Sequence, residues 1–192
     1  MTHLTIIGGS LRSRALKSPK GDKTRPTTAI VRKAVFDMLA PEIEGAHFLD
    51  LFAGSGAMGI EALSRGALHA TFIENGREAL SCIHHNLTAL KLESQASILS
   101  YDVKKALESL HKKNAQFDVI YCDPPYALAS IHFEILSFLD EHSMLIKGGT
   151  LFLEEASPSF LDTKQISLTH LIHKDSRRFG KSLLHRYLST GY

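Results

Sequence analysis

Asp123-Pro124-Pro125-Tyr126 closes a short apolar stretch, "FDVIYC", with an acid, two prolines and an aromatic ring. The prolines fix two successive φ angles and remove two backbone donors. The residue before each proline is also kept out of the helical region. A stiff corner results, which presents the Asp123 carboxylate and the Pro124 carbonyl as fixed acceptors beside the Tyr126 ring. A planar base bearing an exocyclic amine suits such a corner. Its ring stacks on the tyrosine, a contact contributing about 1–3 kcal/mol, and its two N–H groups donate to the two oxygens. An amine of this kind is a poor nucleophile because its lone pair is drawn into the ring. Drawing on both N–H groups redirects the pair outward, and the acceptors strengthen as the nitrogen gains positive charge in the transition state. The plain alternative is a rigid turn after a buried strand, with Asp123 as its cap.

A second motif argues against the turn alone. In "DLFAGSGAMGIEAL", residues 50–63, the spacing Gly54-x-Gly56-x-x-Gly59 allows a tight passage from strand to helix and close approach by a ligand. Glu74 follows Gly54 by twenty residues, the distance at which an acid can accept both ribose hydroxyls of a nucleoside. The glycines fit a nicotinamide dinucleotide as well as an S-adenosyl group. Asp50 at the mouth of the turn favours a cationic ligand over an anionic pyrophosphate. Four acids, Asp50, Glu74, Asp102 and Asp123, fall within predicted strands or at their ends.

The elements that must position these residues alternate. Strands are predicted over 47–53, 69–75, 96–102, 117–123 and 150–156, with helices over 59–65, 77–92, 103–113 and 131–141 between the first five. Gly148-Gly149 reads as a turn. Residues 166–174 and 182–189 pair as an antiparallel hairpin through Gly180. Helical crossovers of this length imply right-handed connections and a parallel sheet covered on both faces. The fold class is α/β: a doubly wound, mostly parallel, seven-stranded Rossmann-like sheet, whose ligands sit beyond the carboxyl ends of the strands. Ahead of it, residues 3–7 and 11–17 read as two short strands about a turn at 8–10. "SPKGDKTRP" is a basic loop, and Thr27 or Thr28 caps a helix that Pro41 ends. Residues 1–26 thus form a small basic hairpin and loop, and residues 27–192 the main domain.

Charge is uneven. Residues 1–36 carry eight Lys/Arg against one acid, +7, so the remainder of a chain with net charge +2 carries −5. Such a chain suits a polyanion held at one end. Hydrophobic content of 44% and charge of 22% are ordinary for a globular domain. Two cysteines without paired spacing, Cys82 and Cys122, argue against a disulfide scaffold or zinc site and suit a reducing cytoplasm. The eleven histidines show no ligand spacing, so no metal is expected. No apolar run approaches the ~20 residues that span a bilayer, and no secretory leader is apparent.

Together these motifs resemble a class I S-adenosylmethionine-dependent methyltransferase of the group whose Asp/Asn/Ser-Pro-Pro-aromatic motif handles amino nitrogens. "LTIIGGSLRSRAL", "TRPTTAIVRKAVFDML" and "LDLFAGSGAMGIEALSRGA" narrow the resemblance to the RsmD family. It is strong as far as Tyr126 and looser beyond. The resemblance implies methyl transfer from S-adenosyl-L-methionine to N2 of a guanine in small-subunit (16S) ribosomal RNA, within a small-subunit particle. No membrane is expected, and no obligate protein partner is implied. Asp50, Gly54 and Gly56 would line the methionine end of the cofactor, Glu74 would bind its ribose, and Asp102 with the Val103 amide would read its adenine. Asp123, Pro124 and Tyr126 would hold the guanine, and Arg12, Arg14 and Arg25 would grip RNA. Departures from the family pattern include Ser13 in place of a usual glycine, and Ala29-Ile30 in place of Asp-Arg. Lys33 and Asp37 replace Glu and Asn, and Lys181-Ser182 follows Phe179-Gly180 where a threonine pattern is usual.

Rival readings remain open at the level of residues. A DNA adenine-N6 methyltransferase shares the amine chemistry but lacks room for a separate DNA-reading domain. A glutamine side-chain methyltransferase leaves the basic end without purpose. A nicotinamide-dependent oxidoreductase leaves "DPPY" and the basic end unexplained. A non-catalytic RNA-binding module leaves the intact acids unexplained.

Overall fold

The computed structural model describes residues 4–19, 26–125, 131–156 and 167–192. Its framework is one seven-stranded sheet in the order β3-β2-β1-β4-β5-β7-β6. The five parallel strands are β1 (His47–Leu51), β2 (His69–Ile73), β3 (Ala96–Leu99), β4 (Phe117–Cys122) and β5 (Leu145–Ala156). Two more, β6 (Leu171–Phe179) and β7 (Ser182–Ser189), add antiparallel to β5. Strand order reverses between β1 and β4, which places the ligand crevice beyond their carboxyl ends.

The near-continuous apolar runs of the central strands follow from burial on both faces. Phe48, Phe72, Tyr121 and Phe152 face one layer with Val35 and Phe36 of α1 (Pro26–Met38), Ile60 of α2 (Ala57–Ser64) and Ile83 of α3 (Arg77–Leu90). Leu49, Leu51, Ile120 and Leu151 face the other, with Leu107 of α4 (Val103–Lys112) and Leu136 of α5 (Ile131–Glu141). Gly59 is required by this packing: a Cβ there would lie 2.3 Å from Phe72 Cε1.

The amino-terminal hairpin stands outside the sheet. Its ladder is minimal, an antiparallel bridge between Thr5 and Ala15 flanked by Ile6 N donating to Arg14 O at 3.0 Å and Leu16 N donating to Leu4 O at 2.8 Å. The second strand expected over 11–17 is shorter than its sequence suggests, because residues 10–13 turn. Ser13 adopts φ 68°, a left-handed conformation that accounts for glycine being usual there.

The hairpin is fastened by side chains from α2 and α3. Glu61, fully buried, accepts Ile7 N at 2.8 Å and Gly8 N at 2.7 Å, and pairs with Arg65 Nε at 2.8 Å. Ser64 Oγ donates to Gly8 O at 2.6 Å and accepts Leu11 N at 3.0 Å. Asn86 closes the other end, accepting Lys17 N at 2.7 Å and donating to Lys17 O and to Ser55 O.

Three further expectations about elements change. The helix expected to be capped by Thr27 or Thr28 already starts at Pro26, a favoured first helical residue. Gly148-Gly149 do not end an element: β5 begins at Leu145 and bulges through them, since Phe117 pairs Leu145 while Val119 pairs Thr150. Gly148 takes φ 81° there, and a Cβ on Gly149 would lie 2.9 Å from Asp118 O. The strand placed at 166–174 runs instead over Leu171–Phe179, its polar "DSRR" tolerated because β6 is the sheet edge.

Replacing Glu61 tests the fastening. Glu61→Ala strips two backbone donors and two guanidinium groups of a buried partner, and is expected to cost about 3–5 kcal/mol. Urea unfolding measures it, and a loss below about 1 kcal/mol would show that Glu61 is not a main fastening and leave the hairpin to Ser64, Asn86 and apolar contact.

Candidate active site

Neighbouring residues in a parallel sheet project to the same face, so its register arranges the site. Asp50 pairs laterally with Phe72 on β2 and Tyr121 on β4, and Tyr121 pairs with Phe152 on β5. Two residues further along, the same face carries Glu74, Asp123 and Glu154. A row of acids thus lines the carboxyl rim on the α1–α2–α3 side, at the switch point.

Asp50 is almost fully buried, and its Oδ2 accepts Gly59 N at 3.0 Å. Desolvation pushes its carboxyl up to about 7, the Gly59 hydrogen bond opposes the rise, and the charge of Glu74 adds to it. Between Asp50 and the glycine turn, Phe52 holds φ 64°. A bulky residue there is strained by about 1–3 kcal/mol, as found where a backbone is held for function. Gly54 follows at φ 55°, and a Cβ on it would meet nothing within 4 Å. Gly56, at φ 79°, precedes α2. The turn therefore opens towards the rim at Gly54.

Glu74 ties the turn to β2. Its Oε2 accepts Gly54 N at 2.8 Å, and its Oε1 accepts Asn75 N at 2.9 Å and Gly76 N at 2.7 Å. A carboxylate has about four lone-pair positions, so it retains capacity for a hydroxyl donor. Asp102 does not share the row. β3 ends at Leu99, and Asp102 stands three residues beyond as the exposed N-cap of α4, accepting Lys104 N at 3.0 Å. Val103 is the first helical residue, where the N–H has no intrahelical acceptor.

Asp123 is half-buried one residue past β4, Pro124 is buried and Pro125 exposed. Tyr126 and Arg25 lie outside the described residues. Arg12 and Arg14 are both exposed, flanking Ser13. Arg32, one of the eight basic residues of the amino-terminal stretch, is no surface charge. It is 2% exposed, donates from Nη2 to Thr5 O at 2.6 Å, and pairs with Glu61 at 3.6 Å. Burial lowers its pKa, with Glu61 opposing.

Glu154 escaped the sequence reading. It is buried at the end of β5, beside Asp123, and its Oε2 accepts the Tyr121 hydroxyl at 2.6 Å. Burial and the Glu154 charge push the Tyr121 phenol well above its ordinary range, so it stays a donor. The signal was present in "TLFLEEA", where an apolar strand ends on adjacent acids. Among the described residues, no three His, Cys, Asp or Glu side chains gather as a metal site requires.

A sheet of this order with acids and a glycine turn at its switch point has the class I methyltransferase fold. The family model described as "Conserved hypothetical protein 95" matches residues 4–188. "Putative rRNA methyltransferase YlbH" of Bacillus subtilis (strain 168) is 38% identical over 151 residues, 79% of this chain and 82% of that protein. "Ribosomal RNA small subunit methyltransferase D" of Escherichia coli (strain K12) is 36% identical over 160 residues, 83% of this chain and 78% of that protein. Among solved structures, "Putative methyltransferase yhhF from Escherichia coli" superposes with TM-score 0.82 at 29% identity, covering 100% of both chains. The chain belongs to this family, the RsmD-type methyltransferases.

The buried Asp50 predicts a pH dependence. Between its ordinary 3.8 and about 7 the folded chain holds a proton that the unfolded chain has released. Stability therefore falls as pH rises across that window and levels off above it. Asp50→Asn should flatten this part of the curve in urea unfolding between pH 4.5 and 8. Parallel wild-type and variant curves would place Asp50 in a more solvated setting.

Proposed function

We propose that this protein transfers a methyl group from S-adenosyl-L-methionine to the exocyclic N2 of a guanine in small-subunit ribosomal RNA. The observation that carries the reading is the rim itself: a proline-stiffened acid, Asp123, on the same face and one strand from Asp50 and the glycine turn. The relatives named as ribosomal RNA methyltransferases supply the substrate class.

The residues suit the cofactor. Asp50 is an acid that desolvation leaves short of a cation, and the open side of Gly54 leaves room for a ligand against the backbone. Glu74 would accept the ribose hydroxyls, Asp102 and the Val103 amide would read the adenine, and Gly56 would keep the turn tight. When bound, the cofactor supplies an electrophilic methyl group on a sulfonium. Asp123 and the Pro124 carbonyl accept hydrogen bonds from the two N–H groups on the guanine N2, with Asp123 placed to take the one proton the methylated nitrogen sheds, and Tyr126 stacks on the ring. Both acceptors strengthen as the nitrogen becomes positive, which lowers the barrier selectively. Holding the two reactants in line contributes much of the remainder.

In this reading residues 1–26 are an RNA-gripping unit and residues 27–192 the catalytic domain. Arg12, Arg14 and Arg25 contact phosphates. The target base must leave its stack to reach the rim, so a loop or junction in a small-subunit particle suits it better than a continuous duplex. The compartment is the cytoplasm.

Asp123→Ala should lower turnover by roughly 10²–10³-fold while S-adenosylhomocysteine still raises the melting temperature as in wild type. A matching loss of cofactor binding would move Asp123 into the cofactor site. Incubation with tritiated donor and small-subunit particles, followed by mapping of the labelled nucleotide, tests the whole reading. Label on an adenine, or on protein, would overturn it.

A further inference from the structure

The distribution of positive charge about the rim is not accounted for by the amino-terminal hairpin. That hairpin is fastened at the far end of α2, where Ser64 O accepts Ser10 N at 2.7 Å. The eight-residue α2 runs from the glycine turn to Ser64, a drop of about 12 Å below the rim. Arg12 and Arg14 therefore belong to the foot of α2, away from Asp123 and on the β1–β2 side of it.

The opposite side carries a second basic group. Residues 171–186 hold Lys174, Arg177, Arg178, Lys181 and Arg186 against a single acid, Asp175, in a remainder of chain that is otherwise acidic. Register fixes where they lie. Ala156 at the end of β5 pairs with Ser182 at the start of β7, so the β6–β7 turn at Gly180-Lys181 sits on the carboxyl rim. Glu154 pairs with Leu184, and Leu184 with Arg177. Arg177 thus lies in the row of Asp123 and Glu154, three strands from β4, about 14 Å away. It faces the same side of the sheet as they do. Phe179, two residues on, packs against the α1–α2 core and holds this end of the hairpin in place.

Asp175 does not neutralise the group. Arg186 engages it through Nε at 3.0 Å and Nη2 at 2.6 Å, whereas Arg177 reaches its other oxygen at 3.2 Å and stays 51% exposed. Lys181 is exposed in the turn. Charges on an edge strand also discourage edge-to-edge pairing, but that role does not require them in the turn, on the rim and level with the acids.

Resting on the reading of the chain as an RNA methyltransferase, we infer that the rim end of the β6–β7 hairpin, through Arg177 and Lys181, is a second phosphate-binding surface. It holds the substrate strand on the side of the target base opposite Arg12 and Arg14. Two remote grips, one on each side of the acidic row, pin the backbone while the base is drawn out between them. Neither grip reads sequence, because phosphate contacts position rather than specify.

The test is RNA binding by the full chain as a function of salt, using small-subunit ribosomal RNA. Arg177→Ala with Lys181→Ala should lower the slope of log K against log salt by about one to two. Affinity near 0.1 M salt should weaken roughly 10–50-fold. Arg177→Lys with Lys181→Arg should keep the wild-type slope. The shift in melting temperature on adding S-adenosylhomocysteine should be unaltered in both, which shows that the fold and cofactor site are intact. A double-alanine variant with the wild-type slope overturns the inference and leaves the proposed activity standing. Wild-type protein that binds this RNA without salt dependence, and deposits no label either on it or on small-subunit particles, overturns both.

Discussion

A carboxylate with no exposure to solvent, Glu61, joins parts of this chain that are distant in sequence. It sits on α2, the helix that the glycine turn launches, and collects the amides of Ile7 and Gly8 together with Arg32 and Arg65. A buried acid is tolerated only when cations and donors surround it. Satisfying Glu61 therefore requires the amino-terminal hairpin, α1 and α2 to meet at one point. The hairpin that presents Arg12 and Arg14 is in consequence fixed to the helix whose other end forms the proposed cofactor turn. Asn86 repeats the arrangement nearer the rim, linking Lys17 to Ser55 within the turn itself.

The rim depends on a second constraint, the parity of a β-sheet. Side chains alternate across a strand, so acids placed two residues apart along a strand, and at matching heights on neighbouring strands, converge on one face. Glu74, Asp123 and Glu154 do so, and Asp50 lies one step below them on the same face, level with Phe72, Phe152 and the ring of Tyr121, which keep water from that row. Asp50 is left so poorly solvated that it holds its proton up to about pH 7. The electrostatic pattern that follows is an acidic centre, with the two proposed basic grips to either side of it. Such a pattern attracts a polyanion to the flanks and a cation or an amine to the middle.

Local strain falls in the same place. Phe52 holds a left-handed conformation between Asp50 and the turn, where glycine would be relaxed. Its cost is met by the packing of the surrounding core, and the turn is thereby aimed before any ligand arrives.

Much of this was legible in the linear chain because it depends on local chemistry. The helix–strand alternation, the glycine turn at 54–59, the acid twenty residues on and the stiffened Asp123 corner are each short-range patterns. The structure places β1, α2, β2, α3, α4, β4, α5 and β7 within a few residues of where periodicity puts them. What tertiary structure alone decided was lateral. Strand order and register made Glu154 a neighbour of Asp123, set Arg177 level with both, and removed Asp102 from the row to cap α4. They also buried Arg32, which by composition looked like one more surface charge. Residue type and spacing along a chain determine what a segment can do chemically. Which segments share a face is settled by long-range pairing and burial, and no local pattern encodes that.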